Sequence, residues 1–153
     1  MLGWNEVELG FWQFDVPLEN LLHIYGLYIR SVTEQSAVVW HSAITKGEKN
    51  DLERVQKVAL RIILGPNYTS YSEALKFTGL DTLSDRRRNL CLKFAKKCVN
   101  NDATSWMFPR NHQLVNTRNP EVFSVTKAKT NRLANSAIPY MQKLLNNYYS
   151  KKK

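Results

Sequence analysis

The chain has 153 residues, of which 43% are hydrophobic and 23% charged, the size and composition of one globular domain with its own core. No stretch reaches the ~18 apolar residues of a membrane-spanning helix, and residues 1–15 contain no Lys or Arg. We therefore expect neither a membrane span nor a secretory signal, and we predict an intracellular protein, nuclear or cytoplasmic.

Positive charge rises along the chain. The net charge is +9, and residues 1–50 contribute −3, residues 51–102 contribute +4 and residues 103–153 contribute +8. This asymmetry favours a polyanionic partner, nucleic acid before an anionic membrane surface, and we predict no membrane partner. The alternative is that the charge only keeps the domain in solution.

Helical periodicity predicts a mostly α fold of about five helices. They are expected at about residues 17–40, 45–64, 70–79, 82–100 and 130–149. Capping residues begin three of them, at Thr45, Ser70 and Thr82. A bend or break is expected between Ser31 and Gln35, and Pro139 should kink or divide the last helix.

Residues 109–130 lack an apolar period and predict an ordered loop, with residues 122–126 as a candidate short strand. We divide the chain into an N-terminal segment, 1–15, a thumb-like helical domain, 16–108, and a C-terminal part, 109–153. The C-terminal part holds this loop, the last helix and a basic tail.

The apolar stripes predict the core. In the first helix it includes Tyr25, Tyr28, Trp40, Val32 and Val39; in the second Leu52, Val55, Ala59, Ile62 and Ile63; in the fourth Leu83, Leu90, Cys91, Phe94, Ala95 and Cys98; in the last Leu133, Ala137, Tyr140, Leu144 and Leu145.

Cys91 and Cys98 are seven residues apart on one predicted helix, about 10 Å along its axis. This is too far for a disulfide, so we predict two reduced thiols. Arg87 falls on the same apolar side. We predict that it is buried, structural and paired with a carboxylate such as Glu53, Glu73 or Asp81.

No enzymatic signature is present. The chain has no Asp-Asp pair for two-metal phosphoryl chemistry, no glycine-rich phosphate loop, no Gly-x-Ser-x-Gly elbow and no Cys/His spacing for a metal. We predict no cofactor, no metal site and no independent catalytic activity.

Two stripes of cations form the candidate site. Each follows one face of a helix, and such faces can follow a phosphate backbone without reading bases. The alternative is a solvated face with intrahelical pairs such as Glu53 with Lys57. The predicted nucleic-acid-binding residues are Arg54, Lys57 and Arg61 on the second helix and Arg86, Lys93 and Lys97 on the fourth. Tyr68 and Trp106 are further candidates for stacking on bases.

Short motifs occur along the chain in a fixed order. A helix containing Ile24-Tyr25 and Val39-Trp40 is followed by residues 52–57 (LERVQK), 71–75 (YSEAL), 83–87 (LSDRR) and 131–140 (NRLANSAIPY). In this order they resemble the region after the polymerase palm in reverse transcriptases of non-LTR, LINE-type retroelements. The resemblance covers about residues 16–149 and leaves out residues 1–15.

The resemblance implies a C-terminal, thumb and post-thumb fragment of an RNA-directed DNA polymerase. The catalytic aspartates of such enzymes lie on the palm, which this chain does not match. It also implies that the thumb grips a template–primer duplex by its backbone, so we predict weak binding to an RNA–DNA or DNA duplex. The alternatives are a protein-interaction or self-associating module, and a translated remnant without function.

Overall fold

The computed structural model describes residues 16–111 and 122–151 and is mostly helical, as the periodicity predicts. Contacts divide these residues into two compact units. Unit 1 comprises residues 16–35 and 46–85; unit 2 comprises residues 36–45, 86–111 and 122–151. The units differ from the predicted segments, whose boundaries stay predictions, and segment 1–15 lies outside the described residues.

The helices follow the predicted order. They are α1 (Leu18–Ile24), α2 (Arg30–Glu34), α3 (Ala37–Trp40), α4 (Lys46–Leu64), α5 (Tyr71–Thr78), α6 (Leu83–Val99), α7 (Asn131–Ala134) and α8 (Ala137–Ser150). A π-helical segment, Tyr25–Ile29, joins α1 to α2, and short 3-10 turns cover Gly65–Asn67 and Ser105–Met107. None of the helices in the described chain is long and apolar enough to cross a membrane.

The predicted first helix is interrupted, and the interruption corrects its predicted core face. Ser36 adopts a left-handed conformation with φ of 52°, so the helical run that ends at Glu34 does not continue into α3. The π-helical segment also shifts the helical phase, because it has more residues per turn than an α-helix. Tyr25 is buried, as predicted, but Tyr28, Val32 and Val39 are 69%, 71% and 69% exposed, so their predicted place in the core was wrong.

Side-chain caps begin several helices where the sequence predicts them. The Ser70 hydroxyl accepts the N–H of Glu73 at 3.3 Å, and the Thr82 hydroxyl accepts the N–H of Asp85 at 3.0 Å. At the end of α5, Gly79 has φ of 66°, a left-handed conformation that glycine adopts without steric cost. These local signals set the helix bounds.

The core of unit 1 lies on a face of α4 that is rotated from the predicted one. The buried residues of α4 are Gln56, Ala59, Leu60, Ile63 and Leu64, whereas Val55, a predicted core residue, is 41% exposed. The apolar pattern counted Gln56 as polar and therefore exposed. Its burial moves the stripe by about one residue.

The core of unit 2 joins α6 to α8. Cys91, Ala95 and Cys98 pack with Met141, Leu144 and Leu145, and with two phenylalanines, Phe108 and Phe123. Both cysteines are free and buried, and burial raises the pKa of the Cys91 thiol to about 11. The predictions for Phe94 and Leu133 were wrong, since each is 43% exposed.

The C-terminal part departs from two local expectations. The candidate strand at residues 122–126 is reduced to a single antiparallel bridge between Phe123 and Arg110. The last helix is divided, but at Asn135 and Ser136. Pro139 lies in the first turn of α8, where a proline is tolerated because its missing N–H needs no helical partner.

Candidate functional site

Charge is distributed unequally between the two units. The described residues of unit 1 carry seven Lys or Arg and eight Asp or Glu, whereas those of unit 2 carry twelve Lys or Arg and one carboxylate, Asp102. The positive field that the sequence indicates therefore originates mainly in unit 2. A cluster of like charges with a single counter-charge attracts polyanions more strongly than a mixed surface.

The predicted cations of α4 are exposed, and two of them line one pocket. Arg54, Lys57 and Arg61 are all exposed. Lys57 and Arg61 line an open pocket of about 350 Å³ together with Val58 and Tyr68. Tyr68, a candidate for stacking on bases, thus lies beside two predicted cations, while Arg54 is not among the residues named as lining the pocket.

A buried hydrogen-bond network sets the orientation of α4. The Tyr25 hydroxyl donates to Gln56 Oε1 at 2.7 Å, and Gln56 Nε2 donates to the Tyr71 hydroxyl at 3.1 Å and to the Asp81 carbonyl at 2.9 Å. Gln56 is only 1% exposed. Because Gln56 faces inward, the side chains of Arg54, Lys57 and Arg61 face solvent.

Glu53 extends the same network instead of serving only as a surface charge. Its Oε1 accepts a hydrogen bond from the Tyr71 hydroxyl and another from the Leu83 N–H at 3.2 Å. Burial, and then the hydrogen bond and negative charge of Glu53, raise the pKa of Tyr71 above its usual range. Lys57 also contacts this tyrosine, with Nζ 5.1 Å from the centre of the ring.

The predicted cations of α6 are accessible. Lys93 and Lys97 are exposed, and Arg86 is partly exposed. Trp106, the other candidate for stacking, is 73% exposed. The two stripes fall in different units of the chain.

Arg87 has a structural position, as predicted. It is fully buried, and its guanidinium carbon lies 5.6 Å from the centre of the Trp40 ring, a cation–π distance. The carboxylate partner predicted for it stays a prediction. Arg87 is therefore not available to a ligand from solvent.

A second basic cleft lies between α6 and α8, on residues that the sequence does not indicate as a binding site. It has a volume of about 120 Å³ and is lined by Arg88 of α6, Asn147 of α8 and Lys151, which directly follows α8, among other residues. Periodicity within a single helix cannot reveal it, because the cleft depends on how two distant helices pack. The i, i+4 spacing of Asn147 and Lys151 is the one local signal.

In the part of the chain that the structure describes, no group of three or more His, Cys, Asp or Glu side chains is arranged to hold a metal ion.

No family model matches the sequence, and neither does any curated protein or solved structure.

Proposed function

We propose that the chain binds nucleic acid through the phosphate backbone, without sequence preference, and that it has no polymerase activity of its own. The observation that carries this proposal is the charge of unit 2, with twelve cations and one carboxylate among its described residues. Neutralising backbone phosphates releases condensed counterions, which makes such binding favourable at low salt and weak at high salt.

The geometry of the predicted stripes supports this mode of binding. Five of the six cations are exposed, and Arg86 is partly exposed, so all can reach a phosphate. The pocket at Lys57 and Arg61 is open, which suits a surface contact and not an enclosed small ligand. Contacts of this kind position a duplex but carry no information on its sequence.

We further propose that the chain is a thumb and post-thumb fragment of a non-LTR reverse transcriptase. Two of the motifs that carry the resemblance, residues 52–57 and 83–87, lie on α4 and α6, the helices that hold both cation stripes. Within these motifs Gln56 and Arg87 are buried while Arg54, Lys57 and Arg86 are accessible. One motif thus supplies both a core residue and a surface cation, as expected of a segment that folds and binds.

The test is fluorescence anisotropy of the purified chain with a labelled RNA–DNA hybrid, titrated from about 50 mM to about 200 mM salt. We expect binding at the lower salt and a steep linear fall of the logarithm of affinity with the logarithm of salt concentration. A DNA duplex of unrelated sequence should bind similarly, since the contacts are to the backbone. Absence of binding at the lower salt would contradict the proposal.

A second candidate function is self-association, favoured by exposed apolar side chains on the first helical run. Leu27, Tyr28 and Val32 are 55%, 69% and 71% exposed, and contiguous exposed apolar surface is typical of an interaction site. Analytical ultracentrifugation over a range of concentrations should then show a dimer that Leu27→Glu with Val32→Glu abolishes. A monomer at every concentration would exclude this candidate.

A further inference from the structure

The cleft between α6 and α8 combines charge and hydrogen-bonding capacity from two walls. Arg88 and Asn89 come from α6, Asn147 and Tyr148 come from α8, and Lys151 directly follows α8; two leucines also line the cleft. None of these lining residues is acidic. Two cations that line one cleft, with no acidic residue among the lining residues named here, favour an anionic occupant.

A third cation, Lys96, lies next to the cleft and contacts the aromatic ring of Tyr148. Lys96 Nζ lies 3.4 Å from the centre of the Tyr148 ring, and this cation–π contact holds the ammonium group beside the α8 wall. Lys96 is partly buried, so less side-chain freedom is lost when an anion binds than for a fully mobile lysine. The positive charge at this cleft is therefore partly positioned in advance.

The donors suit an anion with several oxygens. An arginine guanidinium donates two parallel hydrogen bonds, each asparagine amide donates two N–H groups, and a lysine ammonium donates three. Arg88, Asn89, Asn147 and Lys151 all line the cleft and are exposed. A phosphate monoester near pH 7 carries about −1.5 to −2 charges and three strong acceptor oxygens, so it can engage both walls.

The volume of the cleft further limits which anions it can hold. The volume of about 120 Å³ is well below the ~300 Å³ at which pockets hold drug-sized molecules, so the cleft admits a phosphate group but not a whole nucleotide. A backbone diester has a sugar on both sides and fewer charges, whereas a monoester can project into the cleft from one side.

We propose that this cleft binds a phosphate monoester, which can be the terminal phosphate of a nucleic-acid strand or that of a small phosphorylated molecule. The site is separate from the six cations assigned to backbone binding, and it does not rest on that function. If it recognises strand ends, the chain would distinguish phosphorylated from unphosphorylated ends while holding the backbone elsewhere.

The experiment compares two single-stranded oligonucleotides of one sequence, labelled at the 3′ end, one with a 5′-phosphate and one with a 5′-hydroxyl. Anisotropy titrations at fixed salt should give about tenfold tighter binding of the phosphorylated strand, as expected for two charge-assisted hydrogen bonds. Arg88→Gln with Lys151→Gln should bring this ratio to about one. Both residues are exposed, so the variant should unfold at the temperature of the wild type.

The matched control is Lys127→Gln with Lys129→Gln, which removes the same charge from exposed positions of unit 2. It should weaken binding of both strands equally and keep the ratio. Retention of the ratio in the Arg88/Lys151 variant, or its loss in the control, would overturn the assignment to this cleft.

A second arm separates the two sources of the phosphate. Inorganic phosphate and adenosine monophosphate are titrated while the side-chain amide signals of Asn89 and Asn147 are followed by NMR. Saturable shifts in the wild type that the double variant lacks, together with equal binding of the two strands, would assign the site to a small phosphorylated molecule. Equal binding of the two strands without such shifts would refute the phosphate site. Salt-dependent binding of a duplex is measured in a separate experiment, and its result does not depend on this one.

Discussion

Replacing Gln56 by leucine is expected to lower the free energy of unfolding by about 3 kcal/mol or more. Gln56 connects three parts of unit 1 through hydrogen bonds to the Tyr25 hydroxyl, the Tyr71 hydroxyl and the Asp81 carbonyl. Leucine has a similar volume but cannot make any of these bonds. Tyr25, a residue only 2% exposed, would lose its hydrogen bond to Gln56.

The effect is measured by urea denaturation followed by circular dichroism. Val55→Leu, at the neighbouring half-exposed position of α4, is the control and should change stability by less than about 0.5 kcal/mol. Tyr25→Phe removes one bond of the network, and a double-mutant cycle with Gln56→Leu isolates its share. A loss below about 1 kcal/mol for Gln56→Leu would contradict the network. A wild type without any cooperative transition would favour the translated remnant.

The start of α6 and both ends of α5 were predictable because they depend on neighbouring residues. The hydroxyls of Ser70 and Thr82 cap α5 and α6 from within the same turn, and Gly79 ends α5 through its own backbone conformation. The mostly α fold follows from the same periodicity. Information of this kind is contained in four or five consecutive residues.

The face that each helix buries was not predictable from neighbouring residues. Gln56 and Gln142 are each 1% exposed, although a polar residue is expected at the surface. Gln142 Nε2 donates to the Met107 carbonyl at 2.8 Å, and its Oε1 accepts the Thr126 N–H at 2.8 Å. Both glutamines are buried because groups distant in the sequence satisfy them, two tyrosine hydroxyls and a carbonyl for Gln56 and backbone groups for Gln142, and no local pattern identifies those partners.

The candidate binding residues also fall into those that the sequence predicts and those that only the structure reveals. The exposure of Lys57, Lys93 and Lys97 follows from spacing on single helices, so the sequence was sufficient to predict it. The cleft of Arg88, Asn147 and Lys151 requires α6 and α8 to pack side by side through Cys91, Leu144 and Leu145. This packing joins residues more than fifty positions apart, so only the structure reveals the cleft.

Replacing all six predicted cations by glutamine is expected to flatten the salt dependence of nucleic-acid binding. The positions are Arg54, Lys57, Arg61, Arg86, Lys93 and Lys97. Each backbone phosphate that is neutralised contributes about 0.9 to the slope of log affinity against log salt on duplex DNA, so loss of six contacts should reduce the slope by about five. Affinity at about 50 mM salt should fall by orders of magnitude.

The control for this sixfold variant removes six positive charges at other lysines of the same two units. Glutamine is placed at Lys46, Lys49 and Lys76 in unit 1 and at Lys127, Lys129 and Lys143 in unit 2, which preserves the charge change in each unit. Since both variants have equal net charge, a difference between their slopes reports the position of the cations and not their number. Equal slopes would refute the assignment of the six residues.

Triple variants of each stripe should then differ from one another. Arg54, Lys57 and Arg61 belong to a unit with eight carboxylates among its described residues, whereas Arg86, Lys93 and Lys97 belong to one with a single carboxylate. A cation among like charges gains more from a phosphate than one whose field carboxylates already offset. We therefore expect the α6 triple variant to lose more affinity for an RNA–DNA hybrid than the α4 triple variant. The reverse order would place the main contact on unit 1, with the pocket at Lys57 and Arg61 as its centre.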